Sequence, residues 1–374
     1  MTTRDELLAK LREPEGYAEL LRLAAETPRA KLLRRCASVS GFERYLYEKV
    51  LAGDGEFSFE DVITWPEIEL VPGMDEQYRV RNRASVAEED PALHGRLADY
   101  FAALGPAAAP RTLYHLLRVD VERALASFIA LFDAAEAAFD LPRCQELLAF
   151  VKERETYLPP VFQNALDERS ARFQARMLWS DEYYRSMLYL ARPAQMTAFE
   201  DFLRGNAWIA NVFAEGGMGK TAAIRWLIAR HAVPARIPVA RVDFDFVDAY
   251  TATTNPIWML LEIVKQLDPQ LGGQLERIRS EFAEYATRLE GTGSAIGGFT
   301  KDAIDSFCER LSELRPGRPT LLIFDTVEIA VVHEGVDFDP LLTLLKEIHA
   351  GVPSVRVILS GRYDLRQRLP AFQA

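Results

Sequence analysis

Apolar residues follow two different patterns along this chain, and the change between the patterns falls near residue 192. Before that point the apolar positions recur at helical spacing, as they do over residues 120–132 and 143–152. Beyond it, short continuous apolar runs alternate with amphipathic helical stretches. Continuous apolar runs are typical of strands that are buried on both faces. The pattern therefore predicts an α-rich first half and, over residues 191–374, a parallel sheet with helices on both faces.

Four apolar runs supply the predicted strands of the second half, at residues 208–213, 239–245, 320–324 and 355–359. The first run leads through a glycine-rich loop into a predicted helix over residues 221–231. Strands that alternate with helices form parallel sheets because each helix carries the chain back across the sheet. We expect the strand before the glycine-rich loop to lie in the centre of this sheet.

The first half combines helices with a hairpin. Three helical stretches between residues 28 and 65 precede two alternating stretches, 68–71 and 77–81, and a Pro72-Gly73 pair between them favours a turn. Three short helices followed by a hairpin are the plan of a winged helix. We therefore divide the chain into an N-terminal helical segment (1–27), a winged-helix-like domain (28–105), a helical-hairpin region with a linker (106–190) and an α/β domain (191–374).

Composition and charge narrow the class of protein. The chain has 374 residues, of which 49% are hydrophobic, and its 44 Lys and Arg against 55 Asp and Glu give a net charge of −11. This composition excludes a wholly disordered chain, and the negative charge disfavours nucleic acid as a partner. Cys36, Cys144 and Cys308 match no metal-binding spacing, and no apolar run approaches the ~18 residues that span a bilayer. We expect a cytoplasmic protein with no membrane partner.

The glycine-rich loop is the strongest chemical motif of the chain. Glycines let backbone N–H groups approach phosphate oxygens, and the N-terminus of the next helix favours negative charge. Lys220 would reach the β- and γ-phosphates of a nucleotide, and the Thr221 hydroxyl would ligate Mg²⁺. Ala214 stands where the strict motif has its first glycine, and the alternative is an ordinary glycine-rich turn. The predicted nucleotide-binding residues are Gly216, Gly217, Met218, Gly219, Lys220, Thr221 and Ala222.

Two further strand ends carry candidate site residues. The run 321–324 ends at Asp325, which would hold Mg²⁺ through water unless it only caps the next helix. Three residues later, Glu328 could polarise the attacking water or could be a solvent-exposed carboxylate. The run 355–359 leads to Arg362, which would lie beside the γ-phosphate if its strand lies between the other two. Otherwise Arg362 would be a surface arginine.

These motifs resemble the STAND class of P-loop ATPases, the class that contains the NACHT and NB-ARC proteins. The resemblance covers about residues 190–374 and depends on the glycine-rich loop, on Asp325-Thr326-Val327-Glu328 and on Arg362. It departs from the family at Ile329, where the family carries a second acid. The resemblance implies ATP and ADP as ligands with Mg²⁺, catalytic roles for Glu328 and Arg362, and slow ATP hydrolysis. In such switches ADP holds a closed monomer, whereas ATP with a trigger favours an oligomer.

The first half carries a weaker resemblance. Residues 32–83 resemble the winged-helix unit of the same proteins, which there usually follows the ATPase domain. The family also has a further strand and a helical lid that would lie beyond residue 374, so we expect the ATPase domain to be C-terminally incomplete. The resemblance implies a switch in signalling or antiviral defence, with protein partners bound through the helical first half and a homo-oligomer in the ATP state.

Two other functions remain open at this point. One is an interaction scaffold whose nucleotide is structural, and the other is a regulator that binds DNA through the winged helix. The third predicted helix, residues 57–65, offers acids and apolar groups but no Arg, Lys, Asn or Gln to read bases. On the hairpin, three arginines could touch phosphate or could pair with nearby acids; they are Arg79, Arg81 and Arg83, and the acids are Glu67, Glu69, Glu88 and Glu89. We expect a hairpin that contacts protein rather than DNA.

Overall fold

The computed structural model describes residues 26–53, 55–83, 90–154, 158–248, 255–292, 297–332 and 338–368. The chain divides into two compact units, Met1–Ala137 and Ala138–Ala374. This boundary falls inside the region 106–190, which the sequence assigns to a single helical region. Of the predicted N-terminal segment 1–27, all but the last two residues lie outside the described part.

From residue 26 onward, the described part of the first unit contains three helices and then a two-stranded hairpin, in the order that the sequence predicts. The helices are α1 (Pro28–Ala37), α2 (Arg44–Leu46, continued by a π-helical segment Tyr47–Leu51) and α3 (Phe59–Ile63). Strands β1 (Ile68–Leu70) and β2 (Tyr78–Val80) pair antiparallel, with Glu69 opposite Arg79. Three longer helices follow, α4 (Pro91–Ala103), α5 (Ala109–Val119) and α6 (Val121–Ala137).

Local sequence explains where these elements start and how they pack. Helix α3 begins at Ser58 because its hydroxyl accepts the N–H of Asp61 while the Asp61 carboxylate accepts the N–H of Ser58. The apolar faces of the helices and the hairpin meet in one core, in which Phe42, Val62 and Leu93 are fully enclosed. Burial of such side chains is the main favourable term in the stability of this unit.

A pair of buried histidines joins α4 to α5. The Nδ1 atoms of His94 and His115 lie 2.7 Å apart, so one ring donates a hydrogen bond to the other. The pKa of His115 is lowered to about 3, first by burial and then by the positive charges of His94, Arg118 and Arg83. The His115 ring therefore stays neutral in the folded unit at physiological pH.

Acid is expected to destabilise the first unit through this pair. The unfolded chain takes up a proton on His115 near pH 6.5, whereas the folded unit resists it down to about pH 3. Stability is thus complete above pH 6.5 and falls as the pH is lowered, by at most ~1.4 kcal/mol per pH unit for one proton. We expect His115→Gln to flatten this slope between pH 6.5 and 4, as measured by hydrogen exchange of α4 and α5 amides. Equal slopes for both proteins would contradict the assignment.

The second unit begins with four helices and continues as an alternation of strands and helices. The first four helices are α7 (Leu141–Lys152), α8 (Pro160–Leu178), α9 (Ser180–Arg185) and α10 (Pro193–Arg204). The strands are β3 (Ile209–Phe213), β4 (Val239–Asp243), β5 (Thr320–Asp325) and β6 (Val355–Gly361). Helix α11 (Lys220–Trp226, continued by the π-helical Leu227–Ala232) follows β3. The other helices of the described residues in this unit are α12 (Pro256–Gln270), α13 (Glu276–Thr292), α14 (Gly297–Leu314), α15 (Glu328–Val332), α16 (Asp339–Gly351) and α17 (Leu365–Arg368).

The four strands form one parallel sheet in the order β3-β6-β5-β4. Strand β3, which precedes the glycine-rich loop, is therefore an edge strand of the described sheet, and the prediction of a central position is wrong. The chain crosses from β3 to the opposite edge at β4 and then returns through β5 and β6. This return puts β6 between β3 and β5, which is the condition that the sequence analysis sets for a role of Arg362.

Helices cover both faces of this sheet, as predicted. Strand β5 shows the division because its residues alternate between two cores. Leu322 and Phe324 pack with residues of α12, α14 and α16, whereas Leu321 and Ile323 pack with residues of α11 and with Leu203 of α10. Strands buried on both faces are mostly apolar, which is the pattern of β5, whereas β4 also carries Arg241 and Asp243. No helix in the described part of the chain is both long enough and apolar enough to cross a membrane.

Candidate nucleotide-binding site

The strand order brings all the predicted site residues to one edge of the sheet. Parallel strands end at the same edge, and here the last residues are Phe213 of β3, Asp243 of β4, Asp325 of β5 and Gly361 of β6. Phe213 is in register with Gly361, and Asp243 is in register with Asp325. The carboxyl edge of an open parallel sheet is where ligands of such folds bind.

The glycine-rich loop leaves this edge from β3 and enters α11. Gly217 and Gly219 have φ angles of 81° and 85°, a left-handed conformation that glycine adopts without strain. Ala214 has no such positive φ, so alanine in place of the first glycine of the motif causes no strain here. The N–H of Ala214 donates to the carbonyl of Gly361 over 3.3 Å, which fixes the start of the loop against β6.

Lys220 closes the loop on itself. Its Nζ donates to the carbonyl oxygens of Ala214, at 2.7 Å, and of Glu215, at 3.0 Å. Lys220 is also the first residue of α11, so its own N–H and those of Thr221 and Ala222 have no acceptor within the helix. The helix's first internal bond in this turn runs from the N–H of Ala223 to the carbonyl of Gly219.

These groups suit a polyphosphate. Three backbone donors at a helix N-terminus, an ammonium group and two glycines with open space around them make a cradle for negative charge. The loop glycines are exposed, and Met218 is exposed beside them, so the cradle is accessible to a ligand. The residues present therefore fit the triphosphate group that the sequence predicts for this loop.

Glu328 and Arg362 pair with each other next to the loop. The Nε of Arg362 lies 3.0 Å from one carboxylate oxygen of Glu328, and its backbone N–H donates to the other over 3.2 Å. Glu328 is 13% exposed in its side chain, whereas Arg362 is 61% exposed. A Cβ on Gly216 would lie 3.8 Å from the guanidinium carbon of Arg362, so this cation borders the loop.

Close packing explains why glycine precedes Arg362. A Cβ on Gly361 would come within 2.8 Å of both the Glu328 carboxylate and the Val327 side chain. A larger residue would displace Glu328, which lies at the start of α15.

Asp325 makes its hydrogen bonds to an arginine and to the backbone that follows it. One carboxylate oxygen accepts from Nη2 of Arg241 over 2.8 Å, and the other accepts from the N–H of Thr326 over 3.1 Å. Asp325 is 1% exposed. Thr326 has a φ of 60°, and its hydroxyl donates to Asp243 over 3.0 Å.

Arg241 of β4 links three carboxylates. Its guanidinium contacts Asp243 at 2.6 Å, Asp325 at 2.8 Å and Glu182 of α9 at 3.4 Å. All four side chains are at most 16% exposed, so these charges are largely removed from water. One guanidinium serves three carboxylates, so the cluster keeps an excess of negative charge next to the loop's edge of the sheet.

This donor set also fits Mg²⁺, which prefers carboxylate and hydroxyl oxygens. In the described part of the chain, no group of three or more His, Cys, Asp or Glu side chains is arranged to hold a metal ion by itself. A magnesium ion at this edge would take its remaining ligands from phosphate and water, as is usual for magnesium in nucleotide sites.

Sequence analysis did not single out Arg241, Asp243 or Glu182. A signal was present in β4, because a charged residue inside an apolar strand must find a partner when it is buried. Arg241 and Asp243 are two residues apart and so share a face of the strand. Nothing in the local sequence points to Glu182, which lies 59 residues before Arg241.

On the hairpin of the first unit, the arginines have acidic or backbone partners. Arg79 and Arg81 both contact Glu69, at 2.8 Å and 3.2 Å. Arg83 donates to the carbonyl of Ala37 over 2.8 Å. Glu67 pairs instead with Arg29 at 2.8 Å, and Glu88 and Glu89 lie outside the described residues. The charges of Arg79 and Arg81 are therefore partly neutralised by Glu69.

Comparison of this chain with protein-family models, with curated proteins and with solved structures found no match.

Proposed function

We propose that residues 191–374 bind ATP and ADP with Mg²⁺ and hydrolyse ATP slowly, as a STAND-type switch in signalling or defence. The observation that carries this proposal is the loop between β3 and α11. Two left-handed glycines, three helical N–H groups without internal acceptors and Lys220 converge there at the carboxyl edge of a parallel sheet. Polyphosphate is the ligand that this combination of backbone donors and one ammonium group recognises best.

Each residue has a role that follows from its contacts. Lys220 would exchange its two loop carbonyls for phosphate oxygens, which are stronger acceptors because they are charged. When bound, Mg²⁺ would be held through Thr221 and Asp325 and would neutralise charge on the phosphates. The N–H groups of Lys220, Thr221 and Ala222 would orient the phosphate chain against the start of α11.

The ion pair of Glu328 and Arg362 is the part of the site that would respond to the γ-phosphate. While Arg362 holds the carboxylate, Glu328 is hydrogen-bonded to the guanidinium and to the backbone N–H of Arg362 rather than to a water molecule. A γ-phosphate beside Gly216 would attract the exposed guanidinium of Arg362 and release Glu328 toward the attacking water. The exposed guanidinium can exchange the carboxylate for the γ-phosphate, and the charge of the γ-phosphate would offset the loss of this pair. ADP, which lacks the γ-phosphate, would leave the pair intact.

The melting temperature of the protein, measured with and without nucleotide, tests binding directly. We expect the melting temperature of the second unit to rise with added ATP or ADP in the presence of Mg²⁺. An unchanged melting temperature at millimolar nucleotide would overturn the proposal.

Glu328→Gln separates a switch from a scaffold with structural nucleotide. The amide keeps the size of the side chain but cannot take a proton from water, so we expect hydrolysis to fall ~10²-fold or more. ATP should still bind to this variant. After the time that the unaltered protein needs for one turnover, chromatography of the bound nucleotide should still show ATP. Glu200→Gln on α10 is the control and should hydrolyse ATP like the unaltered protein. Equal, barely measurable turnover in all three proteins would favour the scaffold.

A further inference from the structure

A cavity lies at the amino ends of the parallel strands, whereas the glycine-rich loop lies at their carboxyl ends. Its volume is about 660 Å³, a size typical of sites for small molecules. It opens beside Pro238 and Pro319, which immediately precede β4 and β5. The amino ends of parallel strands lie at the edge away from their carboxyl ends, so this cavity is separate from the candidate nucleotide site.

The lining of the cavity combines apolar and basic side chains, and we call the apolar part its floor. Apolar side chains from α8, α10 and the segment after α11 form the floor, among them Ala175, Leu203 and Ile237. Five arginines line the same space together with His231; they are Arg172, Arg204, Arg236, Arg315 and Arg318. The acids among the lining residues are Glu168 and Glu200. This excess of positive charge stands against the net charge of −11 of the whole chain.

Both acids are already engaged by arginines. Glu168 lies 2.7 Å from Arg236, and Glu200 lies 3.6 Å from Arg204. The charges of both acids are therefore neutralised within the cavity lining, and the excess of positive charge belongs to Arg315 and Arg318.

Arg315 and Arg318 are the basic pair that lacks a carboxylate in the described part of the chain. Arg315 donates from Nη2 to the carbonyls of Arg236, at 3.0 Å, and Pro319, at 3.4 Å, while its buried Nε has no hydrogen-bond partner among the described residues. Burial lowers the pKa of Arg315, and the nearby charge of Arg318 lowers it further. The two like charges therefore repel each other next to an apolar floor.

The helix dipole accounts for part of this arrangement. Both arginines follow the C-terminus of α14 at Leu314, where a helix favours cations. The dipole does not account for their meeting Arg172, Arg204 and Arg236, which come from three other segments. Arg315 and Arg318, which pair with no carboxylate of the described residues, leave room for a counter-charge from a ligand.

We propose that this cavity binds a small phosphomonoester whose phosphate is attached to an apolar body. A phosphate monoester carries close to two negative charges at pH 7, which matches a pair of unneutralised guanidinium groups. Guanidinium forks donate two parallel hydrogen bonds to phosphate oxygens. The apolar body would cover the floor formed around Leu203 and Ile237 and would remove it from water. This site is independent of nucleotide binding at the glycine-rich loop.

Phenyl phosphate, inorganic phosphate and benzyl alcohol together test the two halves of this proposal. The full chain carrying Lys220→Ala is the host, so that the glycine-rich loop contributes no phosphate binding. We expect one molecule of phenyl phosphate to bind in titration calorimetry, at least tenfold more tightly than either of the other two probes. Equal binding of benzyl alcohol would overturn the ionic part, and equal binding of inorganic phosphate would overturn the apolar part.

Arg318→Gln then locates the site. Arg318 is exposed and its side chain does not hold the backbone in place as that of Arg315 does, so this variant should fold normally. Loss of one charged hydrogen bond should weaken phenyl phosphate binding about tenfold or more. Arg277→Gln, on the exposed face of α13 and outside the cavity, is the matched control and should bind phenyl phosphate unchanged. Identical dissociation constants for the two variants would overturn the assignment of the cavity.

Discussion

Lys220→Ala is expected to abolish the rise in melting temperature that ATP or ADP gives to the second unit. Among the described residues, the hydrogen bonds of the ammonium group go to the loop carbonyls of Ala214 and Glu215. Removing it therefore should change the melting temperature of the ligand-free protein little, because no core contact is lost. The phosphates, however, would lose the one lysine that can reach them from the loop.

The size of this effect follows from linkage. A ligand at 100 times its dissociation constant stabilises the folded state by ~2.7 kcal/mol. For a unit of this size that corresponds to a shift of about 5–10 °C. We expect such a shift in the unaltered protein and less than about 1 °C in Lys220→Ala, measured by scanning calorimetry with Mg²⁺ and each nucleotide.

The matched control is Lys265→Ala, since Lys265 lies in the same unit on α12 and pairs only with Glu262. That variant should keep the full nucleotide shift. A normal shift in Lys220→Ala would remove the glycine-rich loop as the nucleotide site.

Arg241→Met is expected to be the most destabilising single change near the site. It would leave Asp243, Asp325 and Glu182 largely buried with no cation among them. Breaking a buried ion pair from one side costs about 3–5 kcal/mol, because the remaining charge stays desolvated. We expect a loss of that size in the unfolding free energy of the second unit, measured by urea denaturation at pH 7.

Mg²⁺ provides a second measurement on the same variant. With the guanidinium gone, the three carboxylates would attract a divalent cation more strongly, so added Mg²⁺ should recover part of the lost stability.

Arg204→Ala is the control for the loss of stability, because its pair with Glu200 is exposed and should contribute less than about 1 kcal/mol. A loss below 1 kcal/mol for Arg241→Met would show that the carboxylates are solvated without their arginine.

The predicted site residues came from local patterns that survive into the structure. The glycine-rich loop lies between β3 and α11 because an apolar run, flexible glycines and an amphipathic stretch follow one another directly. Asp325 and Arg362 were found because each comes at or just after the end of an apolar strand. A position of Arg362 beside the γ-phosphate was predicted only on the condition that β6 lies between β3 and β5, and the strand order meets that condition.

Other features could not be read locally. The central position expected for β3 was wrong, because strand order depends on where each crossover packs against the sheet and not on the strand's own sequence. Glu328 was a choice between a base and a solvated carboxylate, and the structure adds its ion pair with Arg362. Arg241 remained unnoticed because two of its three partners lie 59 and 84 residues away along the chain.

By itself, then, the amino-acid order determined the strands and helices of the second unit and the chemistry at the ends of β3, β5 and β6. These depend on apolar periodicity and on the φ angles that glycine permits, both of which act over a few neighbouring residues. Tertiary packing alone decided the edge position of β3, the pairing of Arg241 with Asp325 and Glu182, and the meeting of five arginines around one cavity. The physical reason is that these contacts join residues far apart in the chain, and their formation depends on how whole elements cross and bury one another's apolar faces.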